Sequence, residues 1–197
     1  VDRASGLACV GPEDMAICRP PIDHNDGRLS GPERPCLESG AWPDCSLGRP
    51  VLQPGMSATI LTLDETKNFL DREFPQMQAG GRAFHLEAVG PLSARMRMEG
   101  QERFLRPGGT VSGPAMMALA DYALYAAILA NIGPVALAVT TSLSFNFLRK
   151  PAPGDLLAEC CLLKLGRRLA VGEVRITADG SDDLVCHATG TYAIPPR

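Results

Sequence analysis

The stretch from Pro114 to Ala130 carries a single charged side chain, Asp121, among alanines, leucines, methionines and two tyrosines. A segment apolar on every side has to be enclosed, either by lipid or by the rest of the chain. Pro114 stands where a first-turn proline is tolerated, and Gly133-Pro134 supplies the stop, so the stretch reads as one helix. It is at the short end for crossing a bilayer, is rich in alanine, and has an acid at its middle. A helix wrapped by a sheet is therefore expected rather than a membrane span.

The flanking sequence supplies the sheet. Thr62 with Glu65 three residues on is a capping-box signature, followed by an apolar stripe of Leu63, Thr66, Phe69 and Leu70 and stopped by Pro75. Ala83–Val89 and Leu92–Met98 are short strand candidates joined by Gly90-Pro91. Beyond the apolar helix lie Leu137–Leu148, Leu156–Leu165, Leu169–Thr177 and Leu184–Ile194, separated by Pro151-Ala-Pro-Gly154, Gly166-Arg-Arg168 and Ala178-Asp-Gly-Ser-Asp182. Tight turns between β-rich runs predict an antiparallel meander. One antiparallel sheet around one long central helix, an α+β architecture, accommodates that order.

Residues 1–55 are of another kind. They hold eight of the 17 prolines and four of the seven cysteines, and Trp42 is their one aromatic residue. Leu, Ile, Val and Phe fill ten of the 55 positions, below the roughly 20% under which a segment struggles to bury enough surface. A disordered or non-native extension, with Met56 as the start of the domain proper, is expected for 1–55, and a folded domain for 56–197. No basic start leads into an apolar run, so a cytoplasmic protein with reduced cysteines is expected. A net charge of -3 gives no basic footprint for nucleic acid. Seven cysteines without CxxC spacing and three histidines argue against a metal site.

The chemistry gathers at Arg106-Pro-Gly-Gly-Thr-Val-Ser-Gly-Pro-Ala-Met-Met-Ala-Leu-Ala-Asp121, a glycine-rich loop that opens the helix and an acid two turns inside it. A buried carboxylate costs several kcal/mol unless paired or solvated, and no base stands within four residues of Asp121. Either hydrogen-bonding groups on another element satisfy it, or it works. Gly113 opens the helix, where free N–H groups and the helix dipole favour negative charge and can hold an oxyanion. Gly113 and Asp121 are eight residues apart, about 12 Å along a helix, too far to serve one carbonyl. A two-fold mate with its helix antiparallel would bring its Gly113 opposite this Asp121.

These residues resemble the hotdog-fold acyl-CoA thioesterases of the phenylacetic-acid-degradation type, and the likeness extends over 56–197. That family carries an Asn-x-x-Gly-x-x-His-Gly-Gly loop with an Asp or Glu seven residues later, and Gly109, Gly113 and Asp121 stand at the matching positions. The resemblance implies Asp121 as the catalytic carboxylate, nucleophile or general base, and the Gly113 N–H as oxyanion donor. It implies a hotdog fold and sites shared between subunits of a homodimer or homotetramer. It also implies an acyl-CoA substrate, with no cofactor and no metal. Arg106, Ser112 and Pro114 stand where the family has Asn, His and the second Gly. The resemblance implies that the first two positions orient the acid and the thioester, so Arg106 and Ser112 are candidate substrate-binding residues that do this differently or not at all, and Arg106 is a candidate charge partner for Asp121.

Around that pair, Thr140, Thr141 and Ser142 are expected on the next strand, where the family often places a hydroxyl near the acid, with Thr141 the aligned choice and ordinary strand threonines the alternative. Tyr125 either hydrogen-bonds Asp121 one turn back or packs. Arg167 and Arg168, with Lys164 and the Arg149-Lys150 pair, are basic loop positions suited to the phosphates of coenzyme A. The alternative to a hydrolase is a non-catalytic acyl-CoA-binding oligomer, which the substitutions at Arg106, Ser112 and Pro114 keep in contention. A dehydratase or hydratase of the same fold would need a histidine in the helix-entry loop, and there is none.

Overall fold

The structure, a computed structural model, describes residues 58–196; the 1–55 extension and its four cysteines lie outside them. In chain order the elements are α1 (Leu63–Glu73), β1 (Phe84–Gly90), β2 (Ser93–Met98), the short pair β3 (Leu105–Arg106) and β4 (Thr110–Val111), and α2 (Gly113–Ile132). They continue with β5 (Val139–Phe147), β6 (Leu156–Leu165), β7 (Leu169–Ala178) and β8 (Leu184–Ala193). Six strands form one antiparallel sheet in the order β1-β2-β6-β7-β8-β5, and α2 packs on one face of it. This is the hotdog fold.

The helix is enclosed as its composition requires. It is long and apolar enough to cross a membrane, but 83% of its most apolar window is buried within the protein. On β2 the alternation sorts Ala94, Met96 and Met98 inward and Ser93, Arg95 and Arg97 outward. Opposite them stand Cys160, Ala158 and Leu156 of β6, continuing the apolar surface beneath α2.

Side-chain hydrogen bonds fix both ends of the helix. Ser112 is its N-cap, its Oγ accepting from the Ala115 N–H at 3.4 Å. Near the other end, buried Asn131 accepts from the Leu92 N–H at 2.9 Å and donates to the carbonyls of Gly90 and Ala127. The β1–β2 turn is thereby held against α2. Thr62 and Glu65 form the capping box of α1, and the Ile60 and Leu61 N–H groups both donate to the Ala130 carbonyl.

The topology corrects one expectation. The four strands after α2 do not form a simple meander: β6, β7 and β8 do, but β5 pairs with β8 at the far edge, and β6 pairs with β2. The proline-rich segment between β5 and β6 is a crossover, docked on β4 by a hydrogen bond from the Val111 N–H to the Pro151 carbonyl (3.3 Å). Two prolines in that segment remove donors that a hairpin would use.

Candidate active site

Asp121 lies on the α2 flank that meets β5 and β8, and its carboxylate is half-buried. Its Oδ1 accepts a hydrogen bond from the Tyr192 hydroxyl at 2.5 Å and another from the Thr140 hydroxyl at 2.8 Å. Tyr192 comes from β8, Thr140 from β5, and the two are directly opposite in the sheet. Burial first, and then the charge of Asp121, push the Tyr192 phenol far above its ordinary pKa. The phenol is therefore a donor throughout the working pH range. Among the described residues the acid has hydroxyl partners and no cation.

Gly113 occupies a different place. It lines a groove of about 440 Å³ with Arg106, Thr110, Val111, Met116, Phe147, Leu148, Arg149, Lys150 and Pro151. A Cβ on Gly113 would meet the Phe147 ring at 3.4 Å, so the glycine lets the ring lie close over the start of α2. No acceptor among the described residues takes the Gly113 N–H. Three cations and a helix N-terminus give the groove a positive character. Phe147 and Thr140 mark the two ends of β5, so the groove and Asp121 are separated along the same strand and helix within one chain.

Several expected site residues stand elsewhere. Thr141 does not reach the acid: its hydroxyl donates to the Thr191 carbonyl at 3.1 Å, and Thr140 takes the expected place. The reason is a bulge between Thr140 and Ser142 that inserts Thr141 as an extra residue. Ser142 is exposed, opposite Thr191. Tyr125 does not bond Asp121 either; its hydroxyl donates to the Ala136 carbonyl at 3.0 Å, and its ring stacks on Tyr192 with centroids 6.4 Å apart. Ser112 caps the helix. Arg106 is bonded through Nε to the Thr110 hydroxyl and does not pair with Asp121 within the chain. Arg167 and Arg168 are exposed on the β6–β7 turn, away from the groove and at the Asp121 end of the sheet, where the Arg168 carbonyl accepts from the Ile194 N–H.

Tyr192 is the residue that sequence reasoning missed. Its signal was parity: it shares the inward register of Cys186, Ala188 and Gly190 on β8, where a buried tyrosine hydroxyl needs a partner.

The sequence profile of the Thioesterase superfamily matches residues 108–185. A candidate thioesterase from Silicibacter sp. TM1040, known from a crystal structure, is 47% identical, with a TM-score of 0.65 over 73% of this chain and 97% of that one. The chain belongs to the thioesterase superfamily. The matched segment of this hotdog protein contains Gly113, Asp121 and Thr140, while Tyr192 lies just beyond it. The phenylacetic acid degradation protein of Thermus thermophilus is 29% identical, with a TM-score of 0.54 over 61% of this chain and 99% of that one. A candidate esterase from Saccharolobus solfataricus is 26% identical over 145 residues, 74% of this chain and 87% of its own. Family membership supports thioester hydrolysis as the general chemistry.

Proposed function

We propose that this thioesterase-superfamily protein hydrolyses acyl-CoA thioesters to the free acid and CoA, with Asp121 as the catalytic carboxylate and the Gly113 N–H as oxyanion donor. The observation that carries this reading is the bonding of Asp121. Both hydroxyls reach Oδ1, and among the described residues no donor takes Oδ2 and no cation stands opposite, so one oxygen of the half-buried carboxylate is left for chemistry. Hydroxyls on other elements would satisfy a purely structural acid as well; the oxygen without a partner is what favours catalysis.

The two halves of the site come together across a two-fold axis. The groove lies at one end of β5 and Asp121 at the other, and β5 is the edge strand, with Val139 and Phe147 exposed. An exposed edge of nine residues is a template for pairing with a second copy. Antiparallel pairing of two β5 strands would set the groove of one protomer against the partner subunit's Asp121. The same operation would carry the β6–β7 turn of the partner, with its Arg167 and Arg168, toward Arg106, Arg149 and Lys150. CoA phosphates suit such a cluster.

In the general-base form, Asp121 takes a proton from water as the water oxygen bonds to the thioester carbonyl carbon. The carbonyl oxygen gains negative charge beside the Gly113 N–H of the other subunit. The C–S bond then breaks, and the proton passes from Asp121 to the leaving thiolate. In the nucleophilic form, an Asp121 oxygen bonds to that carbon, CoA thiolate leaves, and water hydrolyses the resulting anhydride. Both forms use the same residues.

The test is thiol release from a panel of acyl-CoAs by the full chain and by Asp121→Asn. Turnover that falls by roughly a thousandfold or more in the variant, with the oligomer intact, is the expected result. Equal turnover in both proteins would overturn the assignment of Asp121. CoA binding without turnover on any substrate would favour a non-catalytic acyl-CoA-binding oligomer.

A further inference from the structure

We propose that Tyr192 is the positioning residue of this site: with Thr140 it holds Oδ1 of Asp121, so that Oδ2 is the oxygen presented to water or thioester. The proposal rests on the reading of Asp121 as the catalytic carboxylate.

The geometry distinguishes two oxygens that are equivalent in a free carboxylate. Oδ1 receives the Tyr192 hydroxyl at 2.5 Å and the Thr140 hydroxyl at 2.8 Å. A carboxylate oxygen accepts about two hydrogen bonds, so this pair fills its capacity. Among the described residues no donor reaches Oδ2. The Tyr192 oxygen also lies 2.9 Å from the Asp121 main-chain carbonyl. A phenol has one proton, and the ionised carboxylate is the stronger acceptor of the two and gives the shorter contact. Tyr192 therefore donates to Oδ1.

Packing fixes the phenol independently of that bond. Tyr192 is 2% exposed. Its ring stacks on Tyr125 at an interplanar angle of 16°, and Phe74 meets Tyr125 edge-on at 6.2 Å. The Tyr125 hydroxyl is in turn tied to the Ala136 carbonyl. A donor held this way keeps the carboxylate in one rotamer, with Oδ2 left without a donor among the described residues. That pre-organisation lowers the cost of reaching the reactive geometry. A phenylalanine at 192 would keep the stack and lose the bond.

The experiment compares the full chain with Tyr192→Phe, Thr140→Val and Asp121→Asn, measuring kcat and KM on one acyl-CoA. For Tyr192→Phe, kcat should fall about 10- to 100-fold with KM within about twofold, the loss expected for one hydrogen bond to a charged group. Thr140→Val, at an exposed strand position, should lower kcat with KM likewise unchanged and covers the case in which Tyr192→Phe fails to fold. An unchanged kcat in both variants, with Asp121→Asn inactive, would overturn the role of Tyr192 and leave the catalytic acid standing. Activity retained by Asp121→Asn would instead overturn the reading beneath it.

Discussion

Leu124 of α2 occupies the space that a side chain at Gly190 of β8 would need: a Cβ there would lie 2.6 Å from Leu124 Cδ1. Gly172 of β7 pairs directly with Gly190 and gives way to the other methyl, its Cβ position being 2.7 Å from Leu124 Cδ2. Two glycines side by side thus form a recess in the sheet where the central helix seats, one turn beyond Asp121. Gly190→Ala should destabilise the protein by about 1–3 kcal/mol through overpacking. Leu124 is fully buried and has little room to move aside. Urea denaturation checks this, and the double variant Gly190→Ala/Leu124→Ala should lose less than the sum of the two singles.

Asn131 carries a second structural prediction. Its side chain makes the hydrogen bonds that hold the β1–β2 turn on the helix, and Leu92 at that turn has φ of 55°, an uncommon conformation for a branched residue. Asn131→Leu keeps the branched shape but leaves the Leu92 N–H and the Gly90 carbonyl without their partner. A loss of about 1–3 kcal/mol in denaturant stability is expected. Hydrogen exchange at the Leu92 amide should accelerate in the same variant.

Acid should loosen α1 through Glu65. Its carboxylate is held below the ordinary glutamate pKa, first by the Thr62 main-chain N–H and then by the Thr62 hydroxyl. A depressed folded-state pKa stabilises above the unfolded value, and that contribution is lost as pH falls through the folded one. The melting temperature of the native protein should therefore fall more steeply than that of Glu65→Gln as pH is lowered from 6 to 3. Parallel curves would show that the capping box contributes no pH dependence.

The proposed acyl-CoA site predicts how substrate recognition divides. Lys150→Gln and Arg106→Gln should raise KM for an acyl-CoA several-fold and leave KM for the matching acyl-pantetheine nearly unchanged, since the latter lacks the nucleotide phosphates. Arg167→Gln/Arg168→Gln should act the same way if the site is assembled across β5. An effect confined to the groove residues would place the phosphates within one protomer.

Much of this was legible in the chain itself. One acid in an otherwise apolar helix, with proline at its start and Gly133-Pro134 at its end, specified a helix that had to be enclosed. The strands on either side were readable from short apolar runs between turn residues, and the capping box at Thr62 from two residues three apart. These signals are local, since hydrophobic periodicity and end-capping act over a few positions. The spacing of Gly109, Gly113 and Asp121 was local as well, and it pointed to the family that the comparisons establish.

The partners of Asp121 were not local. Tyr192 is 71 positions away and reaches the acid because β8, and not β6, lies beside β5. That arrangement follows from the proline-rich crossover after β5, whose path only the folded chain defines. The choice of Thr140 over Thr141 turned on a single bulge, and a one-residue slip sends every later side chain of a strand to the opposite face. Sequence by itself determined which segment is buried and which acid is unusual; tertiary structure decided which hydroxyls meet that acid, because hydrogen bonds depend on register and sheet order rather than on spacing along the chain.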